Sequence, residues 1–344
     1  MQTFFGDEIM KKSFGYIALL LACLLLCTAC GETPVTLTAN WHGNTGTTTG
    51  ISNTYEKLVY SVTYDATDVK TETKGYSLEY RNGVYTTVLQ NDTYTRENGS
   101  VELVYKLTST FTIDGKITCG EESLDFSDSS ESEVYFRTVD KQLFPVYSHK
   151  KMHTTTPKAM AATELKNVYA VYDYETFATY SADGTSVDLV YKAKEKPEDE
   201  TYKIEETKTL AVPSDGYSFF DNEQLLFMMR GMTFTGTANR VHILNASART
   251  VQTLILSNTS QKVEMTFNAL KIGEGEAQQY KIATNTVTVQ LDATMRGPNQ
   301  TFAYACPVDG AVNTYRNVLL HAEVPLSYSL GKFVYSLTEA QFTK

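Results

Sequence analysis

His149 and His153 stand four residues apart in "SHKKMHTTTP", the spacing at which a helix would bring two imidazoles onto one face as zinc ligands. No glutamate stands beside them in metalloprotease spacing, and the Thr-Thr-Thr-Pro that follows makes a poor helix, so both read as surface-loop residues. Arg240 and His242 alternate as on a strand, and His321 sits in another apolar run, yet no nucleophile motif accompanies them. The patterns GxSxG and HExxH and a phosphate-cradling glycine loop are all absent. In the acidic stretch 120–133, Asp125, Asp128 and Glu131 are spaced by three, where a calcium loop places its oxygens at alternate positions around a central glycine. That stretch reads as a solvated loop. Carboxylates are scattered, and nothing selects two of them as an acid and base pair. The expectation is a non-enzymatic protein with no catalytic residue, no metal and no cofactor.

The clearest chemistry belongs to a cysteine. Phe14 to Leu26 is an apolar run preceded by Lys11-Lys12, too short for the roughly 20 residues that span a bilayer. A basic segment, a short apolar core and small residues after it make a secretory signal peptide. Ala29-Cys30-Gly31 at its end resembles a bacterial lipobox, which implies lipidation of the Cys30 thiol and cleavage on its amino side. The place three residues before Cys30 holds Cys27 where leucine is usual. Cys27 itself follows Leu26 directly, and Cys23 would leave a very short apolar core, so Cys30 is the acceptor expected. Asp7 and Glu8 are out of place in a basic leader, whereas Met10-Lys11-Lys12 is an ordinary start. The domains expected are therefore 1–29 as signal peptide, 30–50 as a flexible Thr-, Gly- and Asn-rich tether, and 51–344 as one folded body. The address implied is the bacterial cell membrane, with the chain lipid-anchored and facing away from the cytoplasm.

The formal net charge is −10, and no basic stripe interrupts it, which excludes nucleic acid as a natural partner. The chain has 23 Tyr and 16 Phe against a single Trp, and frequent Thr and Val, a composition suited to strands. Cys119 and Cys306 are the cysteines left in the folded part. They would either pair across a long loop or stand as two buried thiols, and spacing does not choose between these.

From Tyr55 onward the pattern is alternation. Leu58, Tyr60, Val62 and Tyr64 face one way, and Tyr76, Leu78 and Tyr80 repeat the period. Asn82-Gly83 is a type I′ hairpin signal, with Val84, Thr86 and Val88 on the returning strand, and Asp114-Gly115 marks a second turn. The mixed-charge stretch 192–208 reads as an exposed hairpin tip. One helix is expected, over 218–232: Asp221 caps it, Gln224 completes a capping box, Leu225, Leu226 and Met229 share a face, and Arg230-Gly231 ends it. Pro325 places an edge or bulge in a late strand.

Three segments, "YEKLVYSVTYD" (55–65), "FDNEQLLFMMRGM" (220–232) and "AEVPLSYSLGKFVYSL" (322–337), together resemble a family of secreted bacterial proteins of unknown function built as a strongly bent antiparallel half-barrel. The resemblance spans 55–340 and implies one continuous all-β domain, a large bent antiparallel sheet with one short helix against its concave face. Such a sheet is similar to those of lipoprotein-carrier proteins, which hold acyl chains in the concavity. The function expected is binding of a lipid or other amphiphile there, with Leu225, Leu226 and Met229 as the cover and Tyr60 and Tyr64 on the wall. The alternatives are a surface interaction or assembly protein meeting another envelope protein, and a cell-wall or glycan hydrolase.

Overall fold

A computed structural model describes Trp41 and residues 54–67, 69, 75–139, 142–158, 163–292, 299–306, 317–326 and 329–342. Residues 1–29, expected as a signal peptide, Cys30 and most of the segment 30–50 lie outside the described residues. The chain forms β1 (Tyr55–Asp65), β2 (Tyr76–Thr95), β3 (Val101–Cys119), β4 (Glu122–Val139), β5 (Gln142–Pro157), β6 (Tyr169–Tyr180), β7 (Ser186–Ala193), β8 (Ile204–Ala211) and β9 (Ser218–Asp221). After a short helix, α1 (Leu225–Met228), come β10 (Ala238–Asn245), β11 (Thr250–Asn258), β12 (Val263–Ile272), β13 (Gln278–Leu291), β14 (Gln300–Ala305), β15 (Leu319–Pro325) and β16 (Lys332–Phe342). Among the described residues no helix is long and apolar enough to cross a membrane.

The first eight strands are a meander, each paired antiparallel with its sequence neighbour, and β16 returns to pair with β1. At the other end, β12 pairs with β13 and also, in parallel through Lys271 and Ile272, with β16. Strands β12 to β16 thus close into a small ring, while β1 to β8 extend from it as a bent sheet. Strand β9 is the far edge, and it meets β5 and β6 through side chains: the Ser148 and Tyr180 hydroxyls both donate to Asp221. The all-β, single-helix, bent-sheet architecture expected from alternation and from the family resemblance is the one observed.

Three expected turns and loops are strand instead. Asn82-Gly83 is a bulge inside β2, where the register skips from Arg81↔Asp114 to Val84↔Thr112 and Asn82 adopts φ 55°. The extra residue reverses the alternation, so Tyr76 and Tyr80 before it and Tyr85 and Leu89 after it all face inward, and Val84 turns out to solvent. Position 83 needs glycine, because a Cβ there would lie 2.3 Å from the Val62 carbonyl oxygen. Asp114-Gly115 lies mid-strand in β3, and the stretch 120–133 is mostly β4, paired with β3 from Glu122 onward and with β5 as well from Ser129. Pairing of this length outweighs the local turn preference of Asx-Gly. The segment 192–208 does hold a hairpin connection, between β7 and β8. Strand β15 ends at Pro325, opposite Lys332.

The helix is shorter than expected: residues 222–231 make a 3-10 turn, α1 and another 3-10 turn, and Ser218–Asp221 is β9. Asp221 is the cap, its carboxylate accepting the Glu223 N–H at 2.8 Å. The capping box does not form, because the Gln224 amide is buried and without a hydrogen-bond partner among the described residues. Arg230 does not end the helix in solvent; it is buried and forks onto Glu56 at 2.6 and 3.0 Å.

Trp41, within the stretch 30–50 expected as a tether, belongs to the folded body. It is 1 % exposed and sits in the main core, its ring 5.0 Å from Tyr105, 5.8 Å from Phe136 and 5.5 Å from Phe227. Edge-on aromatic contacts of this kind add to the apolar area removed from water. Cys119 and Cys306 are buried thiols, not joined in a disulfide, and Cys119 packs with Tyr76, Ile117, Val168 and Leu330.

Candidate functional site

The space expected beneath the helix is filled. Leu225 and Met229 are buried in the main core, packed with Leu58, Tyr60, Leu107 and the strands opposite. The cavity left there, bordered by Tyr60, Tyr85, Leu226, Phe227 and Arg230, measures about 20 Å³. That is room for one water and far too little for an acyl chain. The expectation that Leu225, Leu226 and Met229 roof a ligand is corrected in that sense: Leu225 and Met229 complete the core, and the half-buried Leu226 packs against it.

Beyond the helix the concave face changes character. Tyr60 lies 5.7 Å from Tyr85, Tyr85 5.7 Å from Tyr335, and Tyr335 6.4 Å from Phe111. The series continues from Phe111 to Phe333 at 6.1 Å, from Phe333 to Tyr80 at 5.0 Å and to Tyr64 at 6.3 Å, and from Tyr80 to Phe126 at 5.8 Å. These rings come from five strands whose register sets them side by side: Tyr60 opposite Tyr85, Tyr64 opposite Phe333, Tyr85 opposite Phe111, and Tyr80 and Phe126 on either side of Gly115. Gly115 is what lets the last two meet, since a Cβ at 115 would stand 2.2 Å from the Phe126 ring.

Tyr60 is sealed, but Tyr64, Tyr80, Phe111, Phe126, Phe333 and Tyr335 are only half-buried. Two hydroxyls are anchored to backbone, Tyr60 donating to the Leu319 carbonyl at 2.9 Å and Tyr64 to that of Leu330 at 2.7 Å, which turns their polar ends away from their ring faces. Burial pushes the Tyr60 phenol well up and that of Tyr335 up to about 12. The helix closes one end of this run. At the other, Leu165 of the 3-10 turn Leu165–Asn167 and Val168 pack against Tyr76, Ile117 and Cys119. Of the expected wall residues, Tyr60 and Tyr64 therefore stand at two positions of a longer aromatic run. Phe111, Phe126, Phe333 and Tyr85 were missed; the signal that could have found them is their parity once the bulge at 82–83 is placed.

Buried charge surrounds the helix. Lys150 pairs with Glu223 at 2.8 Å. Burial alone would raise the Glu223 carboxyl, and the Lys150 ammonium outweighs it and holds the group below its ordinary range. Burial raises Asp221, helped by the Glu223 charge and opposed by the Ser148 and Tyr180 hydroxyls. Each of these carboxylates is engaged, as Glu56 is by Arg230, which leaves no open acid and base pair among them.

Asp128 lies at the rim of the aromatic run. It accepts the Thr155 N–H at 2.6 Å, yet burial pushes its carboxyl up to about 6. A folded-state value above that of the unfolded chain means that folding takes up a proton between roughly pH 4 and 6, so this group's contribution to stability is lost as pH rises through that window. The cost at neutral pH is about 2–3 kcal/mol. Asp128→Asn keeps the acceptor and removes the charge. Denaturant titrations are expected to find the variant more stable than the parent at pH 7.5 and equal to it near pH 4; a variant that is weaker at both pH values contradicts this account.

The histidines do no site chemistry together. His149 and His153 lie on β5 rather than in a loop, on its outer side, separated by roughly 13 Å of extended chain. His149 stacks on Phe177 with ring centres 4.4 Å apart, and His153 contacts Asp173 at 2.8 Å. His242 bridges Asp215 at 2.8 Å and Thr253 at 3.0 Å, Arg240 stands 3.8 Å from Asp292, and His321 stands 3.6 Å from Glu323. Among the described residues no group of His, Cys, Asp and Glu could hold a metal ion.

The class defined by these features is an all-β, barrel-like protein with an aromatic concave face. No family model matches the chain, and no curated protein does. Among solved structures, it is similar to the β-barrel-like protein of the domain of unknown function DUF1849 from Brucella abortus, with 11% sequence identity, a TM-score of 0.43, and coverage of 86% of this chain and 100% of that one. No residue role is carried over from it.

Proposed function

We propose that this protein is a non-enzymatic envelope lipoprotein, tethered through a lipid on Cys30, that holds an amphiphile such as a fatty acyl chain against the aromatic run of its concave face. The observation that carries the reading is the unbroken contact of half-buried rings from Tyr85 to Phe126, in a fold whose main core is otherwise filled. Stacked and edge-on aromatic rings present a largely apolar surface suited to methylene groups, with the Asp128 carboxyl near Tyr80 at its rim. The engagement of Glu56, Asp221 and Glu223 with their own partners supports a non-enzymatic role. An assembly role would use the terminal strand β8, but Glu205, Glu206 and Lys208 guard that edge against pairing with another chain.

Lipid extraction and native mass spectrometry of the purified chain are expected to recover a bound amphiphile. A solvatochromic fatty-acid probe is expected to bind, and Phe111→Ser with Phe333→Ser to weaken it roughly tenfold or more by removing two apolar contact surfaces. Absence of any amphiphile together with an unbound probe rejects the reading. Globomycin is expected to block processing of the precursor, and unchanged processing rejects the anchor at Cys30.

A further inference from the structure

A second cavity lies where the two ends of the sheet approach, away from the aromatic run. It is bounded by the start of β5, the β6–β7 turn and the chain entering β9, and it measures about 190 Å³. Phe144, Tyr180, Tyr217 and Phe219 supply ring surface, and Arg137 and Gln142 supply polar groups. The size decides the class of occupant: an apolar cavity of roughly 150 Å³ accommodates benzene, so this one takes a single ring with one substituent and excludes a long chain.

The charge decides the substituent. Arg96 and Arg137 both stand against one carboxylate, Glu102, with Arg137 Nη1 at 3.4 Å from it, so Arg137 has no carboxylate to itself among the ion pairs of this cluster. Arg137 Nη2 donates to the Ala182 carbonyl at 2.8 Å, which fixes the guanidinium against the β6–β7 turn. Its Nε is buried and has no hydrogen-bond partner among the described residues. Two acids that border the cleft are already engaged: Asp183 accepts from Ser181 and Thr185, and Asp221 lies behind Tyr180, whose hydroxyl donates to it. Tyr180 therefore presents its ring, and Arg137 is left as the group with an N–H to give. We propose that this cleft is a binding site for a small aromatic carboxylate, the ring lying among Phe144, Tyr217 and Phe219 and the carboxylate accepting from Arg137 in a charge-assisted hydrogen bond.

The test titrates benzoate and, as the neutral control of the same shape, benzyl alcohol into the full chain, read by saturation-transfer NMR and calorimetry. A ligand this small is expected to bind with Kd on the order of 1 mM. Benzyl alcohol is expected to bind roughly tenfold more weakly, and Arg137→Gln to erase the difference between the two. Val212→Trp, which fills the cleft and leaves the charges in place, is expected to abolish binding of both. Phe111→Ser, in the aromatic run, is expected to leave both unchanged, which separates this site from the concave face. Absence of benzoate binding overturns the proposal, as does equal affinity for the two probes, or benzoate binding that survives Arg137→Gln and Val212→Trp alike. If Arg137→Gln does not fold, Val212→Trp and the ratio of the two probes on the parent chain decide the matter.

Discussion

Replacing Arg230 with alanine is expected to cost about 3–5 kcal/mol, seen as a lower urea midpoint with an unchanged slope. The guanidinium is 1 % exposed, grips Glu56 with two nitrogens at 2.6 and 3.0 Å, and lies over the Phe227 ring at 4.7 Å. Its loss would leave a carboxylate 3 % exposed beside a cavity of about 20 Å³ with no cation to meet it. Most of the expected cost is this stranded charge rather than the value of the pair itself. The double variant Arg230→Met with Glu56→Leu separates the two, since it removes both charges and keeps apolar volume; it is expected to recover most of the loss. If the double variant is as weak as the single one, packing around Arg230, and not the stranded carboxylate, is the cause.

The second large effect is expected at Trp41. Truncation to alanine would remove the indole from contact with Tyr105, Phe136 and Phe227, at a cost of about 3–5 kcal/mol, whereas Trp41→Phe keeps a ring there and is expected to cost under half as much. Circular dichroism during urea titration measures both. A midpoint unmoved by Trp41→Ala would mean that residue 41 contributes nothing to the core. The outcome also bears on the anchor proposed at Cys30, because a Trp41 held in the core leaves ten residues, 31–40, for the tether of that proposal.

Both residues show where a linear reading stops. Trp41 sits in a stretch of Thr, Gly and Asn whose composition is that of a linker, and one aromatic side chain does not change a window's average. Arg230 stands where helix C-termini favour cations, so the local rule explained it fully, and its partner lies 174 residues away. Asn82-Gly83 and Asp114-Gly115 carry the strongest short-range turn signal there is, and both lie inside long strands. A turn preference is worth little against ladders continued on both sides of the glycine.

What the amino-acid order determined by itself is what depends on neighbours along the chain. The period of two in Leu58, Tyr60, Val62 and Tyr64 made β-structure, Asp221 made a cap for the helix, and the absence of nucleophile and phosphate motifs was visible from the start. What only the tertiary structure decided is which rows of side chains meet. The aromatic run exists because a bulge at 82–83 reverses one strand's parity, because Gly115 clears a gap between Tyr80 and Phe126, and because β16 returns to lie beside β1. Register between strands far apart in the chain is set by the summed fit of both faces, so a single inserted residue moves every side chain beyond it from one face to the other.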